Sequence, residues 1–424
     1  MFCNRFAVPV LGALLALLLP HQARAESTRA ITLGQALSWI GAANPRLAVA
    51  DRDIRIAGGR RIQSAAIPNP EIALTVENVA GTGPYRGTRS AETTLQLGQL
   101  IEFPGKRDAR IAAASAEIDA ARWQLQAERL EVLSEAAVTF FTMLGAQRRI
   151  QIYDGLIKAL DGMEPLLRRR VEQGASSPAD VNRAQVAADL IRADRERAQT
   201  ALDTARRELA ALMGKPAPDF GAAVGDFSAI GSPPPFPRLI AALEEHPQLA
   251  KWTALRAQRK AELISARLKP APDVRFSVGY RHFRETGDSA VVFGLAAELP
   301  VWDQNQGNII AAQETLAKTT AERAVNKSVL AVLLARSYEA ARGAQRELSL
   351  LQSSTIPKAR EAIRAVEEGY AAGRFSLIDL LDTQGAFSQA LQREQEALVT
   401  FHTAIATIEW LTGAPLPLNR TRPR

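Results

Sequence analysis

An internal repeat is the feature that most limits what this chain can fold into. Residues 171–216 align without a gap on residues 370–415, and 11 of the 46 aligned positions are identical. Nearer the N-terminus, residues 44–77 resemble residues 246–279, and each copy contains a Pro-x-Pro at the matching place. An ungapped match of this length is not expected from helical composition alone. The sequence therefore predicts two halves that share one order of elements.

Each half is predicted to begin with an amphipathic helix, at residues 33–66 and 238–269, that ends at the Pro-x-Pro. Two short strands, a very long helix, a glycine-containing turn and a return helix follow. In the first half, apolar and small residues continue at helical spacing over residues 107–171, which corresponds to about 100 Å of helix. A helix of that length fits a coiled coil or a helical tube better than a compact domain.

Four segments alternate apolar and polar residues with the period of a β-strand: 71–78, 93–101, 273–281 and 290–299. This alternation is typical of transmembrane strands, and also of a half-buried sheet in a soluble domain. Four strands cannot close a barrel, because about eight are needed to enclose an interior. An open sheet in lipid would leave backbone groups unpaired at its edges. If the strands lie in a membrane, other copies of the chain must complete the sheet, and three copies would supply twelve strands.

The two ends and the middle of the chain are predicted to lie outside the repeats. Residues 1–25 have the basic start, apolar core and Ala-x-Ala cleavage site of a secretory signal peptide. The proline- and glycine-rich residues 214–238 are predicted to form a linker without regular elements, and the basic residues 414–424 a disordered tail. These limits assign residues 26–213 to the first repeat and 239–413 to the second.

Cysteine usage, hydropathy and charge narrow the class further. Cys3 is the single cysteine and lies in the predicted signal peptide, so we expect a mature chain without disulfides and without an N-terminal lipid anchor. No run of 18 or more apolar residues follows the signal peptide, which argues against a transmembrane helix. The net charge is +7, but basic and acidic residues are interspersed at helical spacing, which indicates solvated helix faces rather than a surface for nucleic acid.

Residues for catalysis or for a resident metal are not grouped in the sequence. After the signal peptide the histidines are His246, His282 and His402, and there is no cysteine, whereas a zinc site needs about four converging ligands. No set of nucleophile, base and acid is recognisable. We therefore expect no metal site, no cofactor and no enzymatic activity.

The duplicated unit of helix, strand pair, long helix and return helix behind a signal peptide resembles the outer membrane factors, the TolC-like ducts of Gram-negative efflux and secretion systems. The resemblance covers nearly the whole mature chain and implies a mainly α-helical fold with a small transmembrane β part. It also implies a homotrimer with a twelve-stranded barrel in the outer membrane lipid and a helical tunnel through the periplasm. The partners it implies are a periplasmic adaptor protein and an inner-membrane pump of the RND type.

By this resemblance, each repeated turn corresponds to a helix-to-helix turn at the periplasmic tip of the duct, and three copies would bring six turns together. Relatives have an inter-helix lock beside these turns, made by an aspartate, a tyrosine and an arginine. Asp180 and Tyr370 match the first two, whereas Arg374 lies one place from the expected position, where this chain has Phe375. The residues expected at the tip and lock are Gly174, Ser177, Asp180, Tyr370, Gly373, Arg374 and Ser376.

The resemblance also implies a tunnel constriction of acidic residues on the helix after the second turn. Asp379 and Asp382 occupy the matching places, and their spacing of three residues puts both on one helix face. In a trimer they would form two rings of carboxylates that attract cations. The alternative is that Asp379 caps the helix or pairs with Arg374, and that Asp382 is solvated.

The substrate class is predicted from one segment. LGQLIEFPGKR, residues 97–107, looks like the corresponding part of the cobalt–zinc–cadmium-type metal efflux ducts, which favours heavy-metal cations as the substrate. The alternatives are a duct for drugs or other small organic molecules, a duct for type I secretion, and a periplasmic coiled-coil scaffold with a small soluble sheet.

Overall fold

A computed structural model describes residues 30–413, so the predicted signal peptide and C-terminal tail lie outside the described residues. Both halves have the predicted order of helix, strand pair, long helix and return helix. The helices are α1 (Leu33–Ala43), α2 (Pro45–Ser64), α3 (Lys106–Glu172), α4 (Pro178–Leu212), α5 (Phe236–Leu243), α6 (Pro247–Leu268), α7 (Gln306–Leu350), α8 (Ile356–Ala371) and α9 (Leu377–Thr412). The strands are β1 (Ile31–Thr32), β2 (Glu71–Glu77), β3 (Glu92–Ile101), β4 (Ala223–Val224), β5 (Val274–Phe283) and β6 (Ser289–Ala297).

The four predicted strands form one antiparallel sheet in the order β2–β3–β5–β6. Its register places Leu95 opposite Tyr280, and Leu97 opposite Val278, so apolar side chains share one face. The largest of them are exposed in the single chain, as Ile72 and Leu295 are at 77%. The other face carries cross-strand ion pairs, such as Arg281 with Glu92 at 3.1 Å. One face of the sheet is therefore mainly apolar and the other mainly polar, so the two faces suit different surroundings.

The opening helix of each half is broken, so the prediction of single helices over 33–66 and 238–269 is wrong. The breaks fall at Asn44 and His246, which are extended, with ψ of 128° and 134°. A proline follows each of them and disfavours the helical conformation of the residue before it. Each side chain then caps the next helix: Asn44 accepts from the amide of Arg46 at 2.8 Å, and His246 from that of Gln248 at 3.2 Å.

The long helices differ between the halves. The first, α3, has 67 residues and passes through Pro165 without ending, which confirms the prediction of a helix over 107–171. In the second half, a five-residue π-helical segment at Leu351–Thr355 separates α7 from α8. A π turn adds a residue to one turn of a helix and shifts the side chains that follow it.

The prediction that residues 214–238 contain no regular elements is wrong. Within residues 214–238, strand β4 pairs in parallel with β1, and α5 begins at Phe236. Gln147 on α3 also holds this segment, because its side-chain oxygen accepts from the amide of Ala223 at 2.8 Å.

The main apolar core lies where the middle of α3, α7 and the end of α9 meet α1 and α5. Its largest buried side chains include Phe140, Leu334 and Phe401, each no more than 1% exposed. Full burial of one such side chain contributes about 1.5–3 kcal/mol. Between residues 30 and 413, no helix is both long enough and apolar enough to span a membrane.

Candidate functional site: the two helix turns

The first turn (residues 173–177, between α3 and α4) and the second turn (residues 372–376, between α8 and α9) have the same backbone geometry. Gly174 and Gly373 adopt φ of +71° and +73°, a left-handed conformation that glycine adopts without strain. In each turn the amide after the glycine donates to a carbonyl five residues back, at 2.7 Å in both. The repeated glycines are therefore required by the way the preceding helices end.

A capping box begins the helix after each turn. The hydroxyl of Ser177 accepts from the amide of Ala179 at 3.2 Å, and the carboxylate of Asp180 accepts from the amide of Ser177 at 3.2 Å. In the second turn, Asp379 accepts from the amide of Ser376 at 2.9 Å, and the hydroxyl of Ser376 accepts from the amide of Asp379 at 3.2 Å. Serine with aspartate three residues later satisfies two free amides at once. The repeated serine and aspartate of each turn thus have a structural role.

Asp379 and Asp382, termed here the acidic pair, lie on the exposed face of α9. The Ser376 hydroxyl and then its backbone amide donate to Asp379 and hold the pKa of that carboxyl below 3.8, its usual value. This confirms the capping alternative for Asp379 and keeps the group charged. The opposite face of α9, with Leu377 and Leu380, is buried.

The first turn lacks an uncompensated acidic pair. Asp180 matches Asp379 in the repeat, but Arg183 stands where the second half has Asp382. Arg183 lies 3.4 Å from Asp180, so the two charges offset each other. Within residues 30–413, the side-chain carboxylate of Asp382 has no hydrogen-bond or ion-pair partner. The start of α9 therefore carries two acidic residues, whereas the start of α4 carries one acidic and one basic residue.

Tyr370 is buried at the end of α8 beside Arg170 at the end of α3. Tyr370 is 5% exposed, and the Arg170 guanidinium lies 4.9 Å from the centre of its ring. Nη1 of Arg170 also donates to the main-chain oxygen of Tyr370 at 3.2 Å. The hydroxyl of Tyr370 is buried and has no hydrogen-bond partner among the residues the structure describes. The tyrosine predicted for the lock is thus held by an arginine that the sequence analysis did not name.

The other predicted lock residues do not meet Tyr370 within one chain. Asp180 is bound inside its own turn, by Ser177 and Arg183. Arg374 is exposed, and its amide closes the second turn. A lock between neighbouring copies stays a prediction for all three. The repeat alignment contained a sign of Arg170, because its counterpart in the second half is Gly369, which has no side chain.

One apolar cluster, termed here the tip cluster, joins the helices next to both turns. Each of α3, α4, α8 and α9 contributes to it, so the two turns are packed against each other rather than separately. Leu167 and Leu380 are its most buried members, at 0% and 1% exposure. Its buried residues are Leu167, Ala184, Ile363, Tyr370, Leu377 and Leu380.

Residues 30–413 contain no group of three or more His, Cys, Asp or Glu side chains that could hold a metal ion. His246 and His402 are buried among aromatic rings: His246 packs edge-on against Trp410, and His402 is stacked on Phe141 at 4.5 Å. The absence of a resident metal remains a prediction for the chain as a whole.

The sequence profile of the outer membrane efflux protein family matches residues 37–215 and again residues 239–414. The chain belongs to this family. The two matches correspond to the two repeats, and the family places the chain in the outer membrane as a channel, with its long helices in the periplasm. The TolC-like fold predicted from the repeat is confirmed.

Individual relatives agree with this membership. The chain is 30% identical to the cobalt-zinc-cadmium resistance protein CzcC of Cupriavidus metallidurans, over 92% of this chain and 91% of that protein. It is 25% identical to the pyoverdine export outer membrane protein OpmQ of Pseudomonas putida, over 87% of this chain and 83% of that protein. The solved outer-membrane channel OprN superposes with a TM-score of 0.76 at 18% identity, covering 90% of each chain.

Proposed function

We propose that this chain is the outer membrane duct of a tripartite efflux system that exports heavy-metal cations. The observation that carries the cation part is the uncompensated acidic pair on the exposed face of α9, next to the second turn. Likeness to CzcC along nearly the whole length supports metal ions of the cobalt, zinc and cadmium kind as the substrate. In this proposal the chain is a conduit and not a catalyst, and it needs no cofactor.

The proposal includes a homotrimer that works with a periplasmic adaptor protein and an inner-membrane RND pump. Within the described residues, β2 and β6 each pair on one side, which leaves two sheet edges for neighbouring copies. The exposed apolar face of the same sheet suits contact with outer membrane lipid. The duplicated turns lie at the far end of the long helices, where an adaptor could reach them.

In the trimer, we propose that Asp379 and Asp382 form two rings at the narrow end of the helical tunnel. Like charges around one axis attract cations and repel anions, most strongly where the passage is narrow. The low pKa of Asp379 keeps its ring charged at neutral pH. Selection among metals would then lie with the pump, because the described residues offer the ion charge but no set of converging ligands.

A duct for small organic molecules is the second candidate, and the likeness to the pyoverdine export protein OpmQ favours it. Deletion of the gene in its own host separates the two. We expect greater sensitivity to zinc, cobalt and cadmium salts, unchanged sensitivity to dyes and antibiotics, and recovery when the gene is restored. Sensitivity to organic compounds alone would contradict the metal proposal and support the second candidate. If the chain is a type I secretion duct, the deletion would instead abolish the export of a secreted protein.

Conductance of the purified protein in a planar lipid bilayer tests the acidic pair. We expect cation-selective channels, and a loss of cation preference in Asp379→Asn and Asp382→Asn. Asp189→Asn is the matched control, because it removes an exposed aspartate from the return helix of the first half. Equal selectivity in all four proteins would contradict the acidic rings and leave the duct itself standing. A folded protein that forms no channel and is extracted from membranes by salt would point to the scaffold.

A further inference from the structure

Arg170 reaches from the end of the first long helix to the end of α8 and contacts it in two ways. Its guanidinium lies 4.9 Å from the centre of the buried Tyr370 ring, and Nη1 donates to the Tyr370 main-chain oxygen at 3.2 Å. A Cβ placed on Gly373 would lie 4.0 Å from Nη2 of Arg170, so the group also borders the second turn. One side chain thus joins the two turns.

The electrostatics of these contacts favour a cation at this place. The Tyr370 carbonyl belongs to the last turn of α8, where the aligned peptide dipoles concentrate negative charge. The face of an aromatic ring attracts a cation as well, more strongly when water is excluded. Arg170 is partly buried and Tyr370 is 5% exposed, so solvent screens the contact less than at the surface.

The repeat shows that this contact is not simply part of every turn. The counterpart of Arg170 in the second half is Gly369, and the counterpart of Phe375 is Ser176. A Cβ on Gly369 would lie 2.2 Å from the Phe375 ring, so the ring occupies the space that a side chain at position 369 would need. Beside the second turn, the Phe375 ring covers Gly369, whereas beside the first turn Arg170 extends to the end of α8.

We propose that Arg170 is a positioning residue that ties the second turn to the first and thereby holds the acidic pair at the narrow end of the duct. Asp379 begins the helix that leaves the second turn, so its position depends on where that turn lies. This inference rests on the proposed function. It adds a residue on α3 to the aspartate, tyrosine and arginine expected for the lock. The contact is made within one chain and needs no neighbouring copy.

The test is the conductance of the full-length trimer in planar lipid bilayers. For Arg170→Ala we expect a several-fold rise in conductance and a weaker cation preference, because the second turn is released. Arg169→Ala is the matched control, since Arg169 is the exposed neighbour on the same helix. For Tyr370→Phe we expect parental conductance, because the ring and the carbonyl that contact Arg170 remain. Opening in Tyr370→Phe but not in Arg170→Ala would overturn the inference and assign the lock to the hydroxyl.

Chemical restoration of the charge separates positioning from general destabilisation. Arg170→Cys is purified as a trimer and then modified in the bilayer with aminoethyl methanethiosulfonate, which adds a cation, or with the uncharged methyl reagent. We expect the cationic reagent to return conductance towards the parental value and the methyl reagent to leave it high. The parent protein treated with both reagents controls for any other reaction. Equal effects of the two reagents would overturn the inference.

The two proposals fail in different ways. If the parent conducts and the Arg170 variants have the same conductance as Arg169→Ala, the proposed role of Arg170 is wrong and the proposed duct function is unaffected. If no folded protein of the series conducts, the proposed function is wrong, and the proposed role of Arg170 is wrong as well.

Discussion

The first hairpin, α3 with α4, is crossed by ion pairs, whereas the second hairpin, α8 with α9, relies on apolar contacts near its turn. Asp154 pairs with Arg195, and Asp161 with Arg192, each at 2.6 Å. In the second half, a polar contact between neighbouring helical segments lies farther from the turn, where Gln352 of the π-helical segment donates to Glu394 of α9 at 3.0 Å. The hydrogen bond that Arg195 donates to Asp154 is the main reason that the pKa of Arg195 is raised.

The comparison separates what shapes a turn from what holds a hairpin together. The two turns share a left-handed glycine and a capping box although most of the residues around them differ. Local hydrogen bonds are sufficient to define this shape. Ion pairs link the two helices of the first hairpin, which also contains an apolar cluster of Ile150, Tyr153, Leu156 and Ala198. Each hairpin can therefore be weakened separately, by a different kind of substitution.

The largest effect is expected from Leu167→Ala, because the tip cluster is common to both hairpins. Leu167 is 0% exposed, and such a truncation costs about 2–5 kcal/mol through lost burial and a cavity. We expect faster hydrogen exchange in α4, α8 and α9 alike. Leu166→Ala is the control, since this neighbour is 44% exposed. Faster exchange confined to the first hairpin would show that the two hairpins are packed independently.

An intermediate and equal effect is expected from Ser177→Ala and Ser376→Ala. Loss of an N-cap serine costs about 1 kcal/mol of helix stability, and a serine–aspartate capping box begins each of the two helices. Hydrogen exchange at the first turn of α4 and of α9 measures each loss. A clearly larger effect at one turn would mean that the two turns differ in more than their flanking contacts.

A small effect, limited to the first hairpin, is expected from Arg192→Ala. Arg192 bridges Asp161 on α3 and Asp189 on its own helix, and exposed ion pairs contribute little in water. We expect exchange in α4 to rise a few-fold at most, with α8 and α9 unchanged. Arg197→Ala is the control, because Arg197 pairs with Asp194 inside α4 only. If both substitutions change hydrogen exchange equally, the ion pair between α3 and α4 contributes nothing to the stability of the first hairpin.

The smallest effect is a shift in pH dependence. The pKa of Asp379 is lowered by the Ser376 hydroxyl, so the cap contributes stability above pH 3.8 and loses it as the pH falls through the lower folded pKa. Ser376→Ala raises that pKa, and we expect cation preference in bilayers to be lost at a higher pH than in the parent. Ser177→Ala should leave this pH unchanged. The same shift in both variants would place the titrating group elsewhere.

The sequence predicted the elements that are encoded by neighbouring residues. Alternation located the four sheet strands, and continuous helical spacing located α3 to within a residue or two. Capping was predicted only as the alternative for Asp379, although the same serine–aspartate spacing at Ser177 and Asp180 forms a capping box as well. The breaks at Asn44 and His246 were predictable in principle, since a proline follows each, but the amphipathic pattern continues across them and conceals the interruption.

Features set by contacts between distant segments were not predictable from the sequence alone. Pairing of β4 with β1 joins residues about 190 positions apart and depends on Gln147 for support. The π-helical segment is followed by Pro357, which lacks an amide for the helix ladder, but the sequence analysis predicted no interruption there. The Arg170 contact with Tyr370 spans 200 positions. An arginine at a helix end is common, and nothing nearby in the sequence indicates which ring it meets.

The exchange of Arg170 for Gly369 and of Arg183 for Asp382 has a consequence for symmetry. A trimer of an exact duplicate would present six equivalent turns, related by a pseudo-sixfold axis. In the proposed trimer these exchanges would make the turns alternate around the ring, so that the spaces between them would fall into two chemically distinct classes. A partner binding at this end would then distinguish neighbouring spaces, and three copies of a partner domain in one class would leave the other class free for a different contact.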